Sequence, residues 1–379
     1  MRIFRFNIVW LPVILIPLFL LVSNVISFAD DNEKNLKDSI KKIVCVLPLT
    51  GNFGRAGHLA LRGVAVANEI LDKEDVHEVV VLDTGTENVK TVFEKALEEK
   101  NTSFIIGPVP YGETDNLGPL VNKINVPVVV FPLEKENFKA ASNLVRFFYP
   151  LDKQAQVLVD FISANKNIFR FGILYPENRM GREFRKYYES ALRRNGKLIT
   201  YKGSYDPNTL DISTELQWIK SLKPDVIFIP DGASRSSTII KKILENRSLF
   251  NTFFLGPSTW NSDAFKRDLD SKIDGVIYKT IFTDFIDTNS EEWTEFETIY
   301  KKLFNDEPGP FEYRVYKISK LLLSLEKTKK VRGTELVKKL ANEDYAVEDF
   351  EINATENGID IYPKPMVLTL ENGVIRKVK

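Results

Sequence analysis

Two histidines and one cysteine limit the catalytic and metal chemistry available to this chain of 379 residues. His58 lies at the start of a predicted helix and His77 beside a predicted strand, and neither has a second His or Cys at metal-ligand spacing, which argues against zinc. A Ser-His-Asp triad would need one of these histidines, and no Gly-x-Ser-x-Gly motif is present. We therefore predict surface or helix-capping histidines, no metal, no cofactor and no enzyme activity.

Two pairs of closely spaced carboxylates could in principle support acid–base catalysis. They are Glu134 with Glu136, and Glu291 with Glu292. Because charged pairs on loops and at helix starts are usually solvated, we expect no catalysis from either pair.

A glycine-rich segment, Gly51 to Gly57, joins the first predicted strand to the first predicted helix. Its spacing is Gly-x-x-Gly-x-x-Gly, which is not the dinucleotide-binding fingerprint, and no Gly-Lys-Ser/Thr follows. Asp83 lies near the position of a ribose-binding acid but does not complete that pattern. The glycines are therefore expected to let strand and helix pack closely. The segment nevertheless follows the carboxyl end of a strand, where open α/β sheets bind ligands.

Alternating apolar patterns predict the elements that hold these segments. Residues 43–49 are continuously apolar, as in a strand covered on both faces, and Ala60, Val64, Ala67 and Leu71 then recur at helical spacing. Strand and helix patterns alternate in this way twice, before and after residues 149–151. This alternation with short connections predicts an α/β fold with two doubly wound, parallel-sheet lobes. The predicted strands are 79–82, 104–106, 128–131, 171–174, 199–201, 226–229 and 253–255, and the predicted helices are 89–100, 117–124, 184–192, 216–222 and 239–244.

The last third of the sequence indicates that the chain crosses between the lobes more than once. After Tyr278 the pattern becomes helical, and residues 350–378 resemble short strands with a hairpin turn at Asn372-Gly373. The predicted division is 42–149 plus 280–345 for lobe 1 and 150–279 plus 346–379 for lobe 2.

The first residues have the pattern of a secretory signal. Arg2 and Arg5 precede an apolar stretch that ends in the small-x-small site Ser27-Phe28-Ala29. We predict a signal peptide over 1–29, cleavage after Ala29 and a flexible leader over 30–41, although the apolar stretch is also long enough for an uncleaved anchor. Cys45 lies well beyond the cleavage site, so no lipid anchor is expected and the protein should be periplasmic and soluble.

The composition narrows the possible partners. The chain has 52 basic and 52 acidic residues, so it has no excess of positive charge that would favour nucleic acid or an acidic membrane surface. A single cysteine rules out an intramolecular disulfide. We expect a monomer that meets the membrane only through its signal peptide or a transporter.

Taken in order, several motifs resemble the type I periplasmic binding fold, in its branched-chain amino-acid-binding (Leu/Ile/Val-binding) branch. Residues 46–57 resemble its opening strand and glycine-rich loop, and Ile105-Ile106-Gly107-Pro108 its third strand. The resemblance covers residues 42–379. The remaining matching segments are 126–132, Tyr175 with Gly181, 224–227 and 254–257.

The resemblance implies a ligand held in a cleft between the lobes by loops at the carboxyl ends of strands. Tyr111 and Trp260 would face each other across this cleft, Lys135 and Arg179 would neutralise an anionic ligand, and Glu134 and Asp231 would accept hydrogen bonds from an amine. The candidate ligand-binding residues carried over by position are Asn52, Phe53, Arg55, Tyr111, Gly112, Glu113, Thr114, Leu133, Glu134, Lys135, Tyr175, Arg179, Asp231, Ser258 and Trp260.

The sequence departs from the family where the ligand amino acid is held. The loops at 111–114 and 133–135 lack most of the expected hydroxyl and small residues, and Ser258 replaces the acid that follows Gly-Pro. These departures argue against an ordinary branched-chain amino acid as the ligand.

The resemblance leaves two functions open. One is a receptor that closes on a small polar, amino-acid-like ligand and delivers it to an ABC importer. Motifs such as 47–51 and 117–120 also resemble the binding-protein-like domain of penicillin-binding-protein activators, which implies a regulator of cell-wall synthesis that acts through protein–protein contacts.

Overall fold

The structure is a computed structural model. It describes residues 40–70, 76–108, 118–132, 141–245, 249, 251–269, 272–273, 276–277, 279–329, 331, 333–341, 350–355 and 358–378. The predicted signal peptide and nearly all of the predicted leader lie outside these residues.

The described residues form alternating strands and helices. The strands are β1 (Lys42–Leu47), β2 (Glu78–Asp83), β3 (Thr102–Ile106), β4 (Val128–Val130), β5 (Leu144–Phe147), β6 (Phe171–Pro176), β7 (Ile199–Tyr205), β8 (Val226–Phe228), β9 (Phe253–Gly256), β10 (Lys272–Ile273), β11 (Val276–Ile277), β12 (Lys279–Asp284), β13 (Phe350–Thr355), β14 (Gly358–Pro363), β15 (Met366–Glu371) and β16 (Val374–Lys377). The helices are α1 (Gly54–Glu69), α2 (Val89–Ala96), α3 (Gly118–Val121), α4 (Leu151–Ser163), α5 (Arg179–Arg194), α6 (Ser213–Leu222), α7 (Ala233–Leu244), α8 (Asp263–Asp268), α9 (Glu291–Phe304), α10 (Pro310–Lys329) and α11 (Thr334–Ala341).

The chain divides into two compact units. Unit 1 contains the described residues up to Phe148 and from Thr294 to Tyr362, and unit 2 contains those from Tyr149 to Trp293 and from Pro363 onward. Each unit holds a seven-stranded sheet with flanking helices. This confirms the predicted fold of two mostly parallel α/β sheets.

In unit 1 the strand order is β13-β14-β5-β4-β3-β1-β2. Strands β1 to β5 are parallel to their neighbours, and β14 is parallel to β5. The core on one face contains Val44, Phe93, Ile105 and Val130, which accounts for the continuously apolar strand sequences. Helix α10 packs against α1, where Gly63 faces the backbone of Glu312.

In unit 2 the strand order is β16-β15-β12-β9-β8-β6-β7. The five strands from β12 to β7 are parallel, whereas β15 is antiparallel to both β12 and β16. Asn372 and Gly373 have positive φ angles of 52° and 74° between β15 and β16. The predicted hairpin turn is therefore confirmed.

The structure corrects the predicted lobe boundaries in the last third of the chain. Residues 280–293 were assigned to lobe 1, but β12 lies in unit 2 because it pairs with β9. Residues 346–362 were assigned to lobe 2, but β14 pairs with β5 in unit 1. β14 pairs with a strand far away in sequence, which the local pattern does not reveal. β12 instead carries buried polar residues that interrupt the apolar pattern of a strand.

Among the described residues, no helix is both long and apolar enough to cross a lipid bilayer.

Candidate functional site

The glycine-rich loop after β1 is held in place by one carboxylate at the end of β2. Asp83 accepts hydrogen bonds from the backbone N–H groups of Leu49 and Gly85, each at 2.8 Å, and from the hydroxyl of Thr50 at 2.8 Å. Burial alone would raise the pKa of Asp83, but these hydrogen bonds to its charged form outweigh that effect and lower it. Both carboxylate oxygens of Asp83 are therefore already hydrogen-bonded within the protein. They are not free to bind a ribose.

The loop that Asp83 supports presents three of the predicted ligand-binding residues to solvent. Asn52 and Arg55 are exposed, and 55% of the Phe53 surface is accessible. An exposed aromatic ring beside an amide and a guanidinium is the type of surface that can stack on and hydrogen-bond to a small polar molecule.

The glycines of this segment serve close packing, as predicted. A Cβ atom at Gly57 would lie 1.9 Å from the carbonyl oxygen of Pro48, and one at Gly54 would lie 3.0 Å from that of Leu49. Helix α1 can therefore begin directly against the end of β1 only because both positions lack side chains.

Seven of the predicted ligand-binding residues lie outside the described residues, and their roles stay predictions. They are Tyr111, Gly112, Glu113 and Thr114 after β3, and Leu133, Glu134 and Lys135 after β4.

In unit 2, the turn from β6 into α5 brings together two predicted residues and their neighbours. Asn178 caps α5 by accepting a hydrogen bond from the N–H of Gly181 at 2.8 Å. Arg179, the first residue of the helix, is exposed. Tyr175 is half-buried, with the guanidinium of Arg185 centred 5.8 Å from its ring.

The loop after β9 carries Ser258. Its N–H donates a hydrogen bond to the Oε1 atom of Gln154 on α4 at 3.0 Å, and the residue is half-buried. Ser258 is therefore partly accessible at the carboxyl end of the sheet.

Asp231, which follows β8, has all its acceptor positions filled by protein groups. The Tyr205 hydroxyl donates to Oδ2 at 2.6 Å, and the N–H of Gly232 donates to Oδ1 at 2.7 Å. Arg235 donates from Nε to Oδ2 at 2.7 Å and from Nη2 to Oδ1. A carboxylate has about four lone-pair sites, so the expectation that Asp231 accepts hydrogen bonds from a ligand amine conflicts with this geometry.

Trp260 lies in the core of unit 2 and not on a surface that a ligand could reach. Its side chain has no exposed area, stacks on Phe265 at a centroid distance of 4.6 Å, and donates from Nε1 to the carbonyl oxygen of Asp231 at 3.2 Å. Gly256 makes room for the ring, because a Cβ there would lie 2.0 Å from an indole carbon. The expectation that Trp260 faces a ligand is corrected accordingly.

The prediction for the histidines is correct for His58, which is exposed, and wrong for His77. His77 is 5% exposed, and its Nε2 atom lies 3.0 Å from the Ser103 hydroxyl and 3.4 Å from Glu326. Burial acts to raise the pKa of Glu326, but bonds from His77, Ser103 and Lys41 lower it to about 2. This buried cluster ties α10 to the amino ends of the strands, away from the loops that carry the predicted ligand-binding residues.

Sequence reasoning missed Arg235, which lies in the first turn of α7. Its side chain is 45% exposed although it pairs with the buried Asp231. Part of the signal was present, because Asp231 precedes Arg235 by four residues, the spacing of an ion pair on a helix. The predicted helix, however, begins only at residue 239. Among the described residues, no group of three or more His, Cys, Asp or Glu side chains forms a metal site.

Each of the two α/β units carries exposed polar residues after parallel strands, an arrangement typical of α/β proteins that bind ligands. A family model described as "Periplasmic binding protein" matches residues 41–353. The chain belongs to this family, which confirms the resemblance predicted from the motifs.

Sequence and structure comparisons agree with this assignment. An uncharacterized protein of Methanocaldococcus jannaschii is 22% identical over 306 residues, covering 75% of this chain and 72% of that protein. A candidate branched-chain amino acid ABC transporter structure from Rhodospirillum rubrum has a TM-score of 0.73 at 12% identity, covering 89% of this chain and all of the other.

Two other solved structures contain a bound ligand. The branched-chain amino acid transporter substrate-binding protein LivJ of Streptococcus pneumoniae, in complex with isoleucine, has a TM-score of 0.63 at 16% identity, covering 90% of this chain and all of the other. A solute-binding protein of R. palustris in complex with benzoate has a TM-score of 0.56 at 15% identity, covering 90% and 96%. The same fold therefore holds chemically different ligands.

Proposed function

We propose that this protein is an exported receptor that closes on a small polar solute and delivers it to an ABC importer. The observation that supports the proposal is a pair of loops held by hydrogen bonds within the protein at the carboxyl ends of parallel strands. Asp83 holds the loop that exposes Phe53 and Arg55 in unit 1, and Asp231 holds the loop after β8 in unit 2.

Both loops follow the carboxyl ends of parallel strands, where ligands bind in open α/β sheets. The residues that we propose for ligand contact are those predicted above, without Trp260 and without the carboxylate of Asp231. Tyr175, Arg179 and Ser258 remain in the proposed set because they lie near or at the surface at the same end of the sheet. Loops that are fixed before binding lose little conformational freedom when a ligand is bound.

Membership of a solute-binding family supports a protein that does not catalyse a reaction. Isoleucine in one neighbour and benzoate in another support an amino-acid-like or related carboxylate as the ligand class. We propose a soluble periplasmic location after cleavage behind Ala29. Sequencing of the exported protein's amino terminus checks this, and an exported chain that still begins at Met1 would contradict it.

A ligand screen tests the proposal directly. The purified protein is heated with each of the common amino acids and with a set of aliphatic and aromatic carboxylates. A solute present at about 100 times its Kd stabilises the folded state by about 2.7 kcal/mol, which raises the melting temperature measurably. If no solute raises the melting temperature and the protein instead binds cell-wall synthesis enzymes, the receptor proposal fails and the regulator hypothesis is favoured.

A further inference from the structure

We infer that Arg235 binds the carboxylate of the ligand and that Asp231 orients Arg235 for this role. The inference rests on the proposed function and specifies the chemical class of the solute. It assigns a ligand contact to a residue that the motif comparison does not single out.

The guanidinium of Arg235 has one edge that is not bonded to Asp231. Arginine has five N–H donors in one plane. Asp231 takes the edge formed by Nε and Nη2. The Nη1–Nη2 edge points away from Asp231, and no other described residue hydrogen-bonds to Arg235. The side chain is 45% exposed, so a ligand in solution can reach Arg235.

The guanidinium of Arg235 is held in place by a buried and fully bonded carboxylate, that of Asp231. The side chain of Asp231 is 3% exposed and is fixed by Tyr205 and Gly232 as well as by Arg235. Its carbonyl oxygen accepts hydrogen bonds from the Thr259 hydroxyl at 3.0 Å and from the Trp260 indole at 3.2 Å. Arg235 is therefore anchored on the core of unit 2, at the carboxyl end of β8. Its side chain loses little conformational entropy when it binds an anion.

The free edge of Arg235 indicates which charged group the ligand carries. Two parallel N–H donors on the free edge match the two oxygens of a planar carboxylate, and the charge of Asp231 already offsets that of Arg235. A phosphate dianion would need further positive charge. Since Asp231 has no acceptor position left, an amine on the ligand gains nothing from it. We therefore expect carboxylates without an amino group to bind at least as well as the corresponding amino acids.

The test compares five probes on the wild-type protein by calorimetric titration. Benzoate and 3-methylpentanoate carry a carboxylate without an amine, isoleucine adds the amine, benzamide removes the charge, and inorganic phosphate supplies a different anion. We expect binding of at least one carboxylate, with benzamide and phosphate at least tenfold weaker than the best carboxylate. Phosphate as the tightest binder would overturn the choice of carboxylate.

Variants then locate the contact. Arg235→Gln should weaken the best carboxylate at least tenfold, or about 1.4 kcal/mol, and Arg235→Lys should give an intermediate loss because it keeps the charge but not the planar edge. The matched control is Arg170→Gln, because Arg170 makes a similar pair with Asp225 at the amino end of the same sheet and is 49% exposed. This control should leave affinity unchanged.

The outcomes separate this inference from the proposed function. If Arg235→Gln and Arg235→Lys both bind the best carboxylate as tightly as the wild type, the inference is wrong and the receptor function stands. If the wild type binds none of the carboxylate probes, the inference is also wrong, and the wider ligand screen decides the receptor function by itself. Should Arg235→Gln fail to fold, Arg235→Lys gives the deciding measurement.

Discussion

At the scale of single residues, Trp260 differs from Phe53 and Arg55 in the direction of its side chain. Phe53 and Arg55 are exposed on the loop where the motif placed them. Trp260 follows a strand end in the same way, yet its ring turns inward over Gly256. The local sequence indicates this packing only through Gly256, four residues before Trp260. The meaning of that glycine becomes clear only from the contact between the two residues in the structure.

Replacing Trp260 should therefore affect stability more than ligand specificity. We expect Trp260→Ala to lower the free energy of unfolding by about 3–5 kcal/mol, because it leaves a cavity among Phe265 and Phe282. Urea denaturation of the unliganded protein measures this. Trp218→Ala is the control, since Trp218 is 57% exposed and its loss should change stability by about 0.5 kcal/mol or less. If Trp260→Ala and the wild type have the same free energy of unfolding, Trp260 lies at the surface and not in the core.

Glu326 should give the stability of unit 1 a specific dependence on acid. Its folded-state pKa of about 2 lies below the ordinary value of 4.5. The ionised carboxylate therefore stabilises the fold above about pH 4.5, and this contribution is lost as the pH falls toward about 2. We expect Glu326→Gln to be less stable than wild type by about 1–3 kcal/mol at neutral pH, with the difference shrinking between about pH 4.5 and pH 3.

Urea unfolding of the two proteins at several pH values checks this expectation. Glu295→Gln serves as the control, because Glu295 is 49% exposed and pairs with Lys320 at the surface at 3.5 Å. A difference between wild type and Glu326→Gln that stays constant from neutral to acidic pH would contradict the assigned role of Glu326.

At the scale of elements, the alternation of apolar patterns predicts most of the two sheets, and the failures have a common cause. Strand β12 was missed because it carries the buried polar residues Thr280, Thr283 and Asp284. Strand β5 was missed because Arg146 interrupts it, and this buried arginine pairs with Asp360 on β14. Polar residues inside a strand are satisfied by partners far away in sequence, so the local pattern cannot identify them.

The junction of β1 and α1 offers a test at this scale. Alanine normally stabilises a helix by about 1 kcal/mol relative to glycine. At Gly57, however, the added Cβ would lie 1.9 Å from the carbonyl oxygen of Pro48. Moving this backbone group away costs more free energy than moving a flexible side chain. We expect Gly57→Ala to destabilise the protein by about 1–3 kcal/mol, measured by thermal or urea unfolding.

Gly232→Ala is the matched control, because no atom lies within 4 Å of the added Cβ and the φ angle of −65° suits any residue. Gly232 is the N-cap residue of α7, where alanine is less favourable than glycine, so we expect a loss of about 1 kcal/mol or less. If Gly57→Ala is as stable as Gly232→Ala, the close approach of strand and helix does not explain the glycine-rich segment.

At the scale of the whole molecule, the order and spacing of the motifs predict the family although each motif is only moderately specific, and the family model confirms that prediction. The ligand is harder to predict, because specificity depends on a few side chains whose directions are set by tertiary contacts. Asp231 illustrates this, since Tyr205 and Arg235 occupy the carboxylate that the motif comparison assigned to an amine. The same contacts leave Arg235 as the exposed charged group.

A receptor for a small solute should carry that solute when it is purified, and native mass spectrometry of the freshly purified, exported protein measures this. We expect a folded chain carrying one non-covalent adduct of small-molecule mass, which is lost on denaturation and restored by adding a carboxylate that the ligand screen identifies. A protein that shows only its own mass, and that gains no adduct from any compound in the screen, would contradict the proposed receptor function.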